Sequence, residues 1–404
     1  MIEHRVFRAR RTQRASIILS VLVIVALSAS SQAAPETSGT DRGFVVTSFY
    51  YANNDGGPEA CPEGLTVSSR ELYLASLPPA ERAEMSKPDK INSLYGISIR
   101  SKDGKNLCSN PTLVPDPHMH TVKGGAAFGI NLDGTEDGHA TANSCAHEKF
   151  SSPSGMPAID NQFYRVMGCV PGYRPKGIDE QYKSAAYRSG EYTMLINVMG
   201  LKPGQSDGDV KVGIYSSANP APFAASGTPI ANASLTIHPN PHFRAVANGH
   251  IADGILTTDP VDLSLYHTVG RPSEIAFKGA RLRLELLPDG RAKGLLAGYQ
   301  DVEFLYRHQF DLGSPEASDQ TRLIVAGAAA AESGYDCPSV MYALKRLADG
   351  YPDTAGQCTA ISSAFRIEAV PAFVIPPSDD GSGPVKTAAA ETGLVGRWLR
   401  KLGL

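Results

Sequence analysis

Metal-ligating side chains crowd the stretch between Asp116 and Asp160. His118 and His120 stand at i and i+2, so an extended strand would turn both imidazoles to one face and Met119 to the other. Two imidazoles so placed suit zinc or copper, and His139 and His147 follow close behind. Asn131, Asp133, Asp137, Asp160 and Asn161 carry a different chemistry. They are hard oxygen donors on glycine-rich turns, as a calcium ion with roughly 6–8 oxygen ligands requires. The run Asn131-Leu132-Asp133-Gly134-Thr135-Glu136-Asp137-Gly138 is not in EF-hand register, which needs a mid-loop glycine and a closing bidentate glutamate. Asp and Asn on such turns also cap their own backbone without any ion. Calcium ligation and turn chemistry therefore stand as alternative readings of the same residues.

Whole reaction classes are missing from the motif inventory. There is no GxSxG elbow, no P-loop, no dinucleotide-binding glycine fingerprint after a strand, and no HExxH. His147-Glu148-Lys149-Phe150-Ser151 comes nearest to the last and lacks its second histidine. An HxH pair is most at home catalytically in a βα barrel, and the βα alternation is absent here. The sequence thus favours a non-enzymatic exported binding or structural protein stabilised by calcium. The alternative is a metal-dependent exported enzyme built on His118 and His120, with His139 or His147 and Asp160 as further ligands. A third reading is an accessory subunit that docks on a partner through its tail.

These residues must be positioned by a chain that reads as exported. Five arginines (Arg5, Arg8, Arg10, Arg11, Arg14) precede a charge-free apolar run ending near Leu27, and Ser31-Gln32-Ala33 has the small-x-small form of a cleavage site. This is the layout of a secretory signal over residues 1–34, destined for the periplasm or the exterior. Cleavage removes five arginines and one glutamate, taking the net charge from −3 to −7. Such an acidic chain has no electrostatic footprint for nucleic acid. All six cysteines (Cys61, Cys108, Cys145, Cys169, Cys337, Cys358) lie beyond the signal and form no zinc, CxxC or haem motif. Their local spacing suggests disulfides Cys61–Cys108, Cys145–Cys169 and Cys337–Cys358, the simplest of the pairings open to six cysteines.

High glycine and proline content with little charge points to a mostly β fold, an antiparallel sandwich-like sheet. Strands are expected at 43–52, 191–201, 210–216, 231–238, 243–256, 261–266, 275–287 and 293–299, with Pro288-Asp289-Gly290 turning the last pair. A short helix is expected after Pro78-Pro79, and another over 337–347, where Val340, Leu344 and Leu347 make one stripe. The organisation read from composition is a loop-rich disulfide-containing region over 35–175, a β-rich domain over 176–300, a mixed α/β segment over 301–375, and a linker with tail over 376–404.

Several of these segments resemble a pattern in uncharacterised secreted bacterial proteins. Asn131-Leu132-Asp133-Gly134, Cys145 and Ile159-Asp160-Asn161-Gln162 are similar to an NLDG-like turn followed by a GIDN-like one. Gly249-His250-Ile251-Ala252-Asp253-Gly254, Asp259-Pro260-Val261-Asp262-Leu263 and Ala280-Arg281-Leu282-Arg283 resemble the β segments that follow there. The resemblance implies export and a β-rich body, and no activity. Ala158 departs from it, standing where glycine is usual.

The tail from Glu391 to Leu404 completes the reading. Leu394, Val395, Trp398, Leu399 and Leu402 fall on one face of a helix, with Arg397, Arg400 and Lys401 opposite. Leu394, Trp398, Leu399 and Leu402 are the expected contacts to a protein partner or an anionic membrane surface.

Overall fold

The computed structural model describes residues 41–202, 206–268, 273–311 and 318–377. The expected signal peptide, most of the linker and the tail with Leu394, Trp398, Leu399 and Leu402 lie outside the described residues.

Eleven strands make one mostly antiparallel sheet: β1 (Arg42–Tyr51), β2 (Met194–Met199), β3 (Gly208–Ser216), β4 (Ala233–Thr236), β5 (Arg244–Ala252), β6 (Ile255–Thr258), β7 (Val261–His267), β8 (Ser273–Leu286), β9 (Ala292–Asp301), β10 (Gly350–Pro352) and β11 (Cys358–Ile375). Hydrogen-bonded neighbours run β1-β2-β3-β5-β6-β8-β9-β11, antiparallel at every step. β11 then pairs back onto β1 from Phe44↔Pro371 to Tyr51↔Phe365, so the path closes on itself. The two layers of the expected sandwich are opposite walls of this closed sheet. β7 pairs outside the ring on β8, β10 extends the start of β11, and β4 runs parallel to the end of β11.

Alternation within the strands fills the interior. Ile196, Val198, Val212, Ile214, Leu282, Leu284, Leu296, Phe365 and Ile367 are all buried in the main core. β1 changes phase at a bulge between Val46 and Ser48, so Phe44 and Val46 before it, and Phe49 and Tyr51 after it, all reach that core. Phe49 stacks on Phe365 with ring centroids 4.4 Å apart. Each such fully buried side chain contributes about 1.5–3 kcal/mol relative to exposure. The helix Gln162–Met167, buried along its whole length, and the helices Asp319–Ser333 and Cys337–Arg346 add Phe163, Leu323 and Val340 to the same core.

Three expectations are corrected. The disulfides are Cys61–Cys169, Cys108–Cys337 and Cys145–Cys358, with sequence separations of 108, 229 and 213 residues. Local pairing fails because the fold brings together segments that are remote in sequence. The three bridges imply an oxidising compartment, and among the described residues no helix is long and apolar enough to cross a membrane. Next, within the expected loop-rich region 35–175, helices occupy Ser69–Ser76 and Ile91–Ser98 as well as the expected Pro79–Met85. Ser68 and Glu71 form a complete capping box, a signal readable in Ser-x-x-Glu. Last, the expected strand 243–256 is a hairpin, β5–β6, turned at Asp253 and Gly254, both with positive φ.

Candidate functional site

The outer face of β8, β9 and β11 supports the site, and the segment 126–160 packs over it. Outward positions alternate along the strands: Arg281 lies opposite Ala297, which lies opposite Ala364, and Tyr299 lies opposite Ser362. Ala297, Tyr299, Ala360 and Ala364 form an outer apolar cluster with Leu132. The covering segment closes on itself at the bridge Ile130↔Asp160 and is tied to the sheet by Ser144↔Gly350 and by the Cys145–Cys358 disulfide. Cys145 N–H donates to the Asp349 carbonyl and Tyr351 N–H to the Asn143 carbonyl, so residues 143–145 continue the sheet beyond β10. Two glycines permit these approaches. A Cβ on Gly138, at φ +76°, would lie 2.0 Å from the His147 carbonyl oxygen, and one on Gly350 would lie 2.2 Å from the Tyr299 ring.

Beneath this cover lies a buried ionic chain. Lys149 Nζ donates to Asp133 Oδ1 and to Asp160 Oδ1, 2.6 Å from each. Asp160 Oδ1 also accepts from His147 Nε2 at 2.7 Å, and its Oδ2 accepts the backbone N–H of Leu132 at 2.7 Å. His147 Nε2 lies 3.7 Å from Asp349 Oδ2, while Asp349 Oδ1 accepts the N–H of Ser362. His147 Nδ1 faces the Cys145 carbonyl oxygen at 2.8 Å. Both ring nitrogens thus face oxygen acceptors, an arrangement that suits the doubly protonated imidazolium.

The electrostatics follow from burial and partners. Burial pulls the His147 pKa down, but the bond to Asp160 and the charge of Asp349 outweigh it and hold it above its ordinary value. Burial works to raise Asp133, but the bonds from Lys149 and Thr135 leave its carboxyl below the usual range. Asp349, fully enclosed, is pushed up to about 7 by burial, against the opposing pull of His147 and Ser362. Its Oδ2 has no hydrogen-bond partner.

A cleft of about 360 Å³ opens over one end of this chain. Asp133, Asp262, Arg281, Tyr299 and Tyr351 line it. The Tyr299 hydroxyl is buried, on a residue only 4% exposed, and has no hydrogen-bond partner; Arg281 Nε is likewise buried and unpartnered. Burial, then the charges of Asp349, Asp160 and Asp133, drive the Tyr299 pKa far up, so the hydroxyl keeps its proton and acts as a donor. Tyr351 packs edge-on against Tyr299, with centroids 5.5 Å apart, and holds a left-handed backbone at φ 53°. For a residue other than glycine that conformation costs on the order of 1–2 kcal/mol.

Comparison with protein-family models, curated proteins and solved structures finds no match to the chain. The site is therefore read from its own geometry.

That geometry gathers only some of the residues singled out by sequence. Asp133 and Asp160 converge with His147, their ligand-type atoms lying within 4.8 Å of one another. Asp137 does not join them: its exposed carboxylate pairs with its own neighbour His139. Asn131 accepts the N–H of Gly134 and donates to the Thr135 carbonyl. Asn161 caps the helix Gln162–Met167 by accepting the N–H of Tyr164. Both asparagines are thus engaged in backbone turns and caps. His118 adopts φ 58° and is not in a strand; its exposed ring lies 3.5 Å from Asp116, which Arg346 also holds. His120 faces the Gly64 carbonyl, and neither histidine joins a group of three ligating residues among those described. Lys149, Asp349, Tyr299 and Arg281 escaped the sequence reading. Lys149 sits within the His147-Glu148-Lys149 run, but no local pattern reveals that it points between two aspartates.

Proposed function

We propose that the chain is an exported, non-enzymatic binding protein whose site is the cleft over the Asp133–Lys149–Asp160–His147 chain. The observation that carries this reading is the buried, unpartnered hydroxyl of Tyr299, a residue that lines the cleft. A buried donor without a partner costs about 1–3 kcal/mol, and a bound ligand supplies the missing acceptor. A cleft of this volume falls at the small end of ligand pockets, which span roughly 300–1,000 Å³. The periplasm or the exterior is the compartment that fits both the leader and the disulfides. In this reading Lys149 provides the positive charge that calcium would bring between Asp133 and Asp160, and the fold does not depend on the ion.

Two measurements test it. Calorimetric titration with polar compounds of monosaccharide size is expected to find a binder whose affinity falls about tenfold in Tyr299→Phe, the worth of one hydrogen bond. If no compound shows an affinity that depends on Tyr299, the cleft is not the binding site. The melting temperature is expected to be the same in excess chelator and in millimolar calcium. A rise with calcium would instead restore the calcium-stabilised reading, by the mass-action effect of an ion that binds the native state alone.

A further inference from the structure

We infer that the cleft ligand is a small hydroxylated organic carboxylate, of the size and chemistry of a sugar acid, with its carboxylate on Arg281; this rests on the binding reading above. Three observations lead there. First, the donors on offer need an acceptor. Arg281 Nε and the Tyr299 hydroxyl are buried and unpartnered, and Tyr299 keeps its proton because of its burial and then the acidic groups near it. Arg281 is the residue type that binds a carboxylate through two parallel bonds. It makes no ion pair among the described residues, in a chain with net charge −3.

Second, a further cation stands against Tyr351 on the cleft wall. Lys278, three positions before Arg281 on β8, places its ammonium 4.9 Å from the Tyr351 ring centroid and also makes no ion pair among the described residues. Arg281 lies opposite Ala297, and Ala297 opposite Ala364, so two small side chains neighbour Arg281 across the sheet. Third, the carboxylates of the cleft are of two kinds. Asp133 is consumed by Lys149, Thr135 and Ser144. Asp262 spends Oδ1 on the Gly279 N–H and keeps Oδ2 as an acceptor for a hydroxyl. The cleft thus offers donors to an anion and an acceptor to hydroxyls.

The test uses the whole exported protein and sodium glucuronate as probe, with glucuronamide, glucose and inorganic phosphate as comparisons, read by calorimetry. Glucuronate is expected to bind, and the neutral glucuronamide to bind at least tenfold more weakly. Arg281→Gln is expected to lose about 10–100-fold in glucuronate affinity, as for one charge-assisted contact, and Arg281→Lys to keep part of it. Circular dichroism of each variant shows whether it is folded. The inference is overturned if glucuronate does not bind, if glucuronamide or phosphate binds as tightly, or if folded Arg281→Gln binds glucuronate unchanged. Binding of glucose or glucuronamide that weakens in Tyr299→Phe would overturn the carboxylate while leaving the cleft as a binding site. If none of these compounds shows a dependence on Tyr299, both readings fail together.

Discussion

Asp349 shows how a single buried residue ties stability to pH. Its carboxyl is held at about 7 in the folded chain against an ordinary value of 3.8. A raised folded pKa contributes stability that is complete below the unfolded pKa and is lost as pH rises through the folded one. The loss therefore spans about pH 4 to pH 7, and His147, also raised, adds a decline in the same direction around and above its ordinary value of 6.5. Asp349→Asn cannot ionise. Its unfolding free energy relative to the parent, measured in urea at several pH values, is expected to improve by a few kcal/mol from pH 4 to pH 7 and to level off above. A constant difference across that range would show that Asp349 does not titrate this way. Asp133 and Asp160 were legible as functional candidates because carboxylates on turns stand out in sequence. Asp349 was not, since only its enclosure between β11 and residues 143–147 makes it unusual.

At the scale of elements, the covering segment depends on one glycine. Gly138 N and Cα turn at φ +76°, its carbonyl accepts the His147 N–H, and the space a Cβ would need is filled by the His147 carbonyl. Gly138→Ala is expected to destabilise the fold by more than about 2 kcal/mol, combining the left-handed penalty with a backbone clash. Urea unfolding measures it, and a loss below about 0.5 kcal/mol would contradict the geometry. Ala158 takes the left-handed conformation, at φ 58°, which glycine adopts without strain. The pairs β2–β3 and β8–β9 were readable from alternation and turn residues. β11 and the helix Asp319–Ser333 were not. β11 is buried on both faces through its middle, and the helix is alanine-rich and buried on most sides, so neither shows a period of two or a clear apolar stripe.

At the scale of the molecule, the disulfides join segments remote in sequence rather than closing local loops, and Cys145–Cys358 anchors the cover to β11. Peptide mapping without reduction is expected to recover Cys61–Cys169, Cys108–Cys337 and Cys145–Cys358. Replacing both Cys145 and Cys358 by serine is expected to cost about 2–5 kcal/mol, since the loop that bridge closes is long. The same variant is expected to expose the amides of residues 143–149 to hydrogen exchange before the rest of the sheet, because that bridge holds the cover over His147 and Lys149. Recovery of any nearest-neighbour bridge would contradict the topology. The mostly β class and the disulfide-forming cysteines were determined by sequence alone, because composition and side-chain period are local properties of a chain. The closure of β1 on β11, the pairing of the cysteines, the insertion of Lys149 between Asp133 and Asp160, and the cleft with its unpartnered Tyr299 and Arg281 were decided only by the tertiary structure. Each depends on which strands become neighbours, and that is set by how the whole chain buries its apolar faces.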